Sequence, residues 1–253
     1  MVNMGASSAV PAAARGAEIS AGLDAVHERL RRACAEAGRA EDAVQLLAVT
    51  KNFPAADVAH LVDLGCTAFG EAREQEATPK VAELRALRPH SHPRWHVLGR
   101  LQRNKARQVA RWAHRVESVD SERLLTALGR AAGKSLEEGE RSTPLELLIQ
   151  VSLDDDPTRG GCARSELDAL TDIAAETDHV RLRGLMAVAP RDSDPDEAFA
   201  QLHRLWVAVR VRFPDADQLS AGMSLDLEAA VRHGSTCVRV GTALLGSRPI
   251  AST

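Results

Sequence analysis

The chain has 253 residues, 44% of them hydrophobic, with 35 acidic and 32 basic side chains and a formal charge of −3. That near-balance creates no field that would recruit nucleic acid or an anionic membrane, and no apolar stretch approaches the ~20 residues needed to cross a bilayer. Cys34, Cys66, Cys162 and Cys237 are far apart and form no CxxC pair, which argues against a zinc site or a disulfide framework and fits a reducing, cytoplasmic setting.

Residues 1–16 are rich in Ala and Ser and lack the basic-then-apolar order of a secretion signal. They read as a disordered leader before one domain over 17–253. A helix is expected from about Ile19 to Ala37, stopped by Gly38. Eight apolar runs then read as strands: Val44–Lys51, Ala68–Glu71, Arg94–Gly99, Arg115–Asp120, Leu145–Leu153, Val180–Val188, Gln218–Met223 and Cys237–Gly246. Between them lie segments with apolar spacing near ~3.6, such as Val58, Leu61, Val62 and Leu64, or Phe199, Leu202, Leu205, Trp206 and Val209. The alternation predicts an α/β domain, a TIM-type (β/α)8 barrel with an extra N-terminal helix, and about 250 residues suit that architecture. An open doubly wound sheet would alternate in the same way. Its first strand is usually followed by a Gly-rich turn, whereas here the chain reads Lys51-Asn52-Phe53-Pro54.

Lys51 closes the first run. A lysine amine at the mouth of a buried strand is a candidate for a lowered pKa, and a neutral amine attacks an aldehyde to form a Schiff base, which points to pyridoxal phosphate. A lone strand-end lysine is more often simply solvated, so the phosphate-binding loops of a barrel, those after strands seven and eight, are the test. After strand seven, Ser224 stands four residues before Glu228 and reads as an N-cap whose helix offers free amides. After strand eight, Gly241 admits close approach of an anion, and Thr242 supplies a hydroxyl and an N-cap to a short terminal turn.

Several segments also carry a family resemblance. They are Leu47-Ala48-Val49-Thr50-Lys51, Phe69-Gly70-Glu71 with Gln75-Glu76, the run from Trp95 to Lys105 (Trp-His-x-x-Gly-x-Leu-Gln-x-Asn-Lys), Arg183-Gly184-Leu185-Met186, Gly222-Met223-Ser224 with Asp226-Leu227-Glu228-Ala229-Ala230, and Arg239-Val240-Gly241-Thr242. In these the chain resembles the pyridoxal phosphate homeostasis proteins, which look like the barrel domain of alanine racemase without its second domain. The resemblance implies that Lys51 carries pyridoxal 5'-phosphate as a Schiff base. Ser224, Gly241 and Thr242 would surround the phosphate, Arg239 would lie near the pyridine nitrogen or the phosphate, and Val49, His96, Met186, Ser220, Gly222 and Met223 would complete the cofactor site. Two positions depart from the family pattern, Ala72 where Asn usually follows Glu71, and Ala221 where Met usually precedes Gly222; both bear on cofactor affinity and tilt.

The implied function is a carrier or buffer of the cofactor, a monomer or weak dimer that releases it to recipient apo-enzymes with little or no turnover. The alternative is a small amino-acid racemase. The racemase it resembles uses a tyrosine from a partner's second domain; this chain has no tyrosine, and its length leaves no room for that domain. His96 is the residue that would serve a histidine-assisted enzyme, its plainer reading being a ring packed against Trp95. The run Arg100, Arg103, Lys105, Arg107, Arg111 and Arg115 is read as a solvated flank rather than a nucleic-acid surface, because the chain carries no net positive charge. His90, His92 and His96 are interrupted by Pro93 and lack a completing carboxylate or thiolate, so no metal site is expected.

Overall fold

The computed structural model describes residues 12–154, 156 and 160–246. Eight parallel strands close into a barrel in chain order: β1 Gln45–Val49, β2 Ala68–Glu71, β3 Arg94–Val97, β4 Arg115–Val119, β5 Leu145–Gln150, β6 Val180–Met186, β7 Gln218–Ser220 and β8 Cys237–Val240. The closing pair is β1 with β8, in register at Leu47 with Arg239 and Ala48 with Val240. Helices α2 Ala55–Asp63, α3 Glu74–Leu87, α4 Ala106–Ala110, α5 Glu122–Glu137, α6 Leu167–Glu176, α7 Pro195–Arg212 and α8 Leu227–Arg232 follow the first seven strands, and the short α9 Thr242–Leu245 follows the eighth.

All eight expected strands are present, each starting at or one residue after the expected position, and most are shorter at the C-terminal end. Cys237–Gly246 does not run on as one strand: the chain leaves the sheet after Val240 and α9 begins at Thr242. The apolar residues past the bend, Leu244 and Leu245, are buried by α9 instead. A run of buried aliphatic residues looks the same whether strand or helix buries it.

The extra helix, α1, spans Ala12–Glu36, and Gly38 just beyond it has φ +64, the left-handed stop expected at a helix end. It starts earlier than expected, so the proposed leader of residues 1–16 is overlapped by α1 from Ala12 onward; residues 1–11 lie outside the described residues. Ile19, Leu23, Val26 and Leu30 form its buried stripe, packed with Phe53, Leu227, Val231 and Leu244. Each such aliphatic side chain stabilises the fold by about 1.5–3 kcal/mol. The helix therefore clasps α2, α8 and α9 over the seam where β8 meets β1, the edge that carries Lys51. No helix among the described residues is long and apolar enough to cross a membrane.

Candidate cofactor-binding site

Lys51 is half-buried in the turn that follows β1. The turn is closed by the Phe53 amide donating to the Thr50 carbonyl at 3.1 Å, and Asn52 takes φ +66, a conformation that Asn tolerates better than most side chains. Behind the turn lies a buried ion pair. The Lys80 amine donates to Glu71 Oε1 at 2.7 Å and to the Thr50 carbonyl at 2.8 Å, while the Thr50 hydroxyl donates to the same Glu71 oxygen at 2.6 Å. Burial pushes the Glu71 carboxyl up, opposed by Lys80 and the Thr50 hydroxyl. These bonds tie the residue preceding Lys51 to β2 and α3.

On the other side of β1, Gly241 packs against Val49: a Cβ at 241 would lie 3.1 Å from the Val49 carbonyl oxygen. The Leu244 and Leu245 amides both donate to the Gly241 carbonyl, at 3.0 and 2.9 Å, so Gly241, rather than Thr242, is the N-cap of α9. The amides of Thr242 and Ala243 are left without an intrahelical acceptor. The loop after β7 reaches the same edge. Gly222 has φ +91, and a Cβ there would come within 2.5 Å of Ala230 Cβ, so only glycine fits. Ser224 is not the N-cap of α8; that place is taken by Asp226, whose Oδ1 accepts the Met223 amide at 2.6 Å. The helix starts later because an aspartate nearer the apolar run satisfies the turn. Ser224 is instead held through its carbonyl, which accepts from Arg29 of α1 at 2.6 Å, and Arg29 also binds Glu228 at 2.5 and 2.6 Å.

Inside the barrel a chain of polar side chains joins four strands. His96 Nδ1 lies 2.7 Å from Glu117 Oε1, the Ser220 hydroxyl donates to Glu117 Oε2 at 2.6 Å, and Arg239 donates to the Ser220 oxygen at 2.7 Å and to the Ala187 carbonyl at 2.8 Å. Burial lowers the His96 pKa despite the carboxylate beside it. Burial alone would raise the Glu117 carboxyl, but the bond to His96 and the charge of Arg239 outweigh it and hold the group below its usual range. The consistent state is a neutral imidazole with the proton on Nδ1, facing a carboxylate that Arg239 helps to neutralise. His96 Nε2 is buried and has no hydrogen-bond partner among the described residues, as expected of an atom kept for a bound polar group.

The expected site residues thus form two groups. Lys51, Val49, Gly241 and Thr242 share the β8–β1 seam, and His96, Ser220 and Arg239 are linked through Glu117. Met186 ends β6 in register with Ser220, while the Met223 side chain is 39% exposed. His96 is not a ring packed on Trp95, whose own ring neighbour is Phe69 at 5.5 Å. Glu117, Thr50, Glu71 and Lys80 were not among the expected site residues; the visible signal was a carboxylate inside the buried strand Arg115–Val119. His90 and His92 are exposed on the loop before β3, away from His96. The basic run divides as well: Arg107 pairs with Glu138 and Glu140, Arg111 with Glu140 and Arg115 with Glu146. Burial pushes the Cys162 and Cys237 thiols up to about 12, so neither offers a thiolate nucleophile near neutral pH.

The alanine racemase N-terminal domain model matches residues 22–249. A protein of Mycobacterium tuberculosis named pyridoxal phosphate homeostasis protein is 51% identical over 247 residues, covering 94% of this chain and 96% of that protein; one of Escherichia coli K12 with the same name is 36% identical, covering 91% and 97%. Among solved structures, PipY of Synechococcus elongatus with PLP bound superposes with a TM-score of 0.71 at 35% identity, covering 86% of this chain and 100% of that one. The alanine racemase of Corynebacterium glutamicum, at 18% identity and a TM-score of 0.62, shares the fold over 62% of its length. The chain belongs to the pyridoxal phosphate homeostasis protein family, built on the barrel of the alanine racemase N-terminal domain.

Proposed function

We propose that this protein holds pyridoxal 5'-phosphate reversibly on Lys51 as a Schiff base and buffers the cofactor inside the cell, with little or no turnover. The observation that carries this reading is the β8–β1 seam, where Gly241 packs against Val49 and the amine-bearing turn stands beside the start of α9, which no side chain caps. An amine for the aldehyde and backbone amides for the phosphate belong side by side at such a seam. The relatives' name and PipY's bound PLP support the same ligand. Gly222, Ser224, Gly241 and Thr242 are the residues that would hold the phosphate, with Met186, Val49 and Met223 around the ring.

Bound there, the cofactor supplies an aldehyde and an electron-withdrawing ring. Arg239, held by Ser220 and Ala187, would lie near the pyridine nitrogen; a permanent cation keeps that nitrogen unprotonated and weakens the ring as an electron sink. His96 donates to Glu117 in the state assigned above, and the chain has no tyrosine, so the opposite-face tyrosine base of the racemases is missing. These features favour holding over racemisation. Release to recipient apo-enzymes, a monomer or weak dimer, and a reducing cytoplasm, where the free thiols of Cys34, Cys66, Cys162 and Cys237 persist, complete the reading.

The test is the absorbance spectrum of wild type and Lys51→Ala with added pyridoxal phosphate, followed by D- and L-alanine. A band near ~420 nm in wild type alone, as expected of a protonated Schiff base, without racemisation, is the predicted result. An identical spectrum in the variant would remove Lys51 from its role, and turnover would establish the racemase reading.

A further inference from the structure

On the C-terminal face, the loops after β2, β3 and β4 border a cleft of about 940 Å³ that meets the cofactor reading only at Ala72. Its wall carries Arg73, Arg100, Arg103, Lys105 and Arg123 against two carboxylates, Glu74 and Asp120. Arg73 pairs with Glu76 at 2.9 Å and Lys105 with Glu74 at 3.3 Å. Arg100, Arg103 and Arg123 have no hydrogen-bond or ion-pair partner among the described residues. All three are exposed at the rim of the cleft, where water screens their mutual repulsion and an anion seated between them would be shared by three cations.

The loops that carry these cations are fixed from below. The Ser118 hydroxyl donates to the Gly99 carbonyl at 2.7 Å, and Gly99 lies so close to Ala72 that a Cβ would fall 2.1 Å from the Ala72 carbonyl oxygen. Two longer helices also start at the rim without side-chain caps: α3, preceded by Arg73, and α5, whose Ser121 hydroxyl turns to Asp120 at 3.2 Å instead of to the helix. Their free amides add to the positive potential of the guanidiniums. The volume is that of a small-molecule site. No aromatic side chain lines it, which disfavours a nucleobase or a single strand that would need stacking.

We propose that this cleft is a second anion site, for a compact phosphorylated molecule with two or more negative charges and no stacking ring. It is distinct from the phosphate loops after β7 and β8, because in the closed barrel β1 with its lysine stands between β8 and β2.

The test is isothermal titration calorimetry of the full chain with pyrophosphate at constant ionic strength. The expected result is saturable binding of about one equivalent, weakened about tenfold or more by Arg103→Gln and by Arg123→Gln, the loss of one charge-assisted hydrogen bond each. Lys51→Ala and Arg94→Gln, the latter an exposed cation at the opposite end of β3, leave it unchanged. Absence of saturable binding overturns the proposal, as does binding insensitive to Arg103 and Arg123 or weakened equally by Arg94→Gln. Loss in Lys51→Ala would assign the probe to the cofactor site and overturn it too. Since Lys51→Ala removes the Schiff-base lysine and not the cleft, failure of either reading is distinguishable from failure of the other.

Discussion

Lys80→Met removes the amine that faces Glu71 and the Thr50 carbonyl, both buried. Glu71 then keeps only the Thr50 hydroxyl on Oε1, and its Oε2 has no partner among the described residues. A carboxylate so placed protonates on folding. The unfolded group has a pKa of 4.5 and burial already raises it in the wild type, so at pH 7 neutralising it in the variant costs at most about two and a half pH units at about 1.36 kcal/mol each, or about 3.4 kcal/mol. That lies within the ~3–5 kcal/mol typical of breaking a buried pair, and for a chain of this size it lowers Tm by roughly 7–14 °C. The pH dependence follows from the sign. A carboxyl raised in the folded state makes the native protein bind more protons than the unfolded one, so its contribution is present below pH 4.5 and is lost as pH rises toward the raised value. Lys80 opposes that rise in the wild type and nothing replaces it in Lys80→Met, so the gap between the two narrows as pH falls from 7 to about 5.5, and Glu71→Gln in the Lys80→Met background removes this pH dependence. Urea unfolding at the two pH values measures it. A gap of the same size at both, or a loss of Tm below about 2 °C at pH 7, would refute the assignment of Lys80 as the charge that keeps Glu71 ionised.

Glu117→Ala leaves His96, Ser220 and Arg239 facing a buried void, and thermal melts are expected to show a loss of about 3–5 kcal/mol; because the Glu117 carboxyl is held below its usual range, the wild-type contribution is present above the unfolded value near ~4.5 and disappears as pH falls through the lowered one. Glu146 is held at about 2, where burial alone would raise it, by His114 and Arg115; Glu146→Gln should reduce stability at pH 7 by about 1–2 kcal/mol after solvent screening, with the difference from wild type vanishing between about pH 4.5 and 2 in acid-unfolding curves. Gly222→Ala forces a side chain into φ +91 against Ala230, and should destabilise by about 1–3 kcal/mol and weaken cofactor retention on gel filtration; full retention would show that the loop after β7 does not shape the site.

The architecture was legible because strands of a closed parallel sheet are covered on both faces and so read as nearly continuous apolar runs; all eight, from Gln45–Val49 to Cys237–Val240, lie where such runs occur. Their ends were not, since Leu244 and Leu245 are as apolar as Val238 and Val240 and only the path of the chain separates helix from strand. The N-cap after β7 was misplaced for a related reason: Ser224 and Asp226 both suit a cap, and the geometry of the Met223 amide selects Asp226.

The sequence by itself determined the strand–helix alternation, the place of Lys51 just past the first strand and the glycines after strands seven and eight, because these are properties of neighbouring residues and of backbone freedom. Only the tertiary structure decided which polar groups meet. Glu117 and Ser220 are separated by 103 positions, Lys80 reaches back to the residue before Lys51, and Arg100, Arg103 and Arg123 converge on one cleft while Arg107 and Arg111 of the same basic run are neutralised by Glu138 and Glu140 just past α5. Barrel closure brings such residues together, and the low dielectric and restricted space it creates give each carboxylate, imidazole and guanidinium its charge state and its partner.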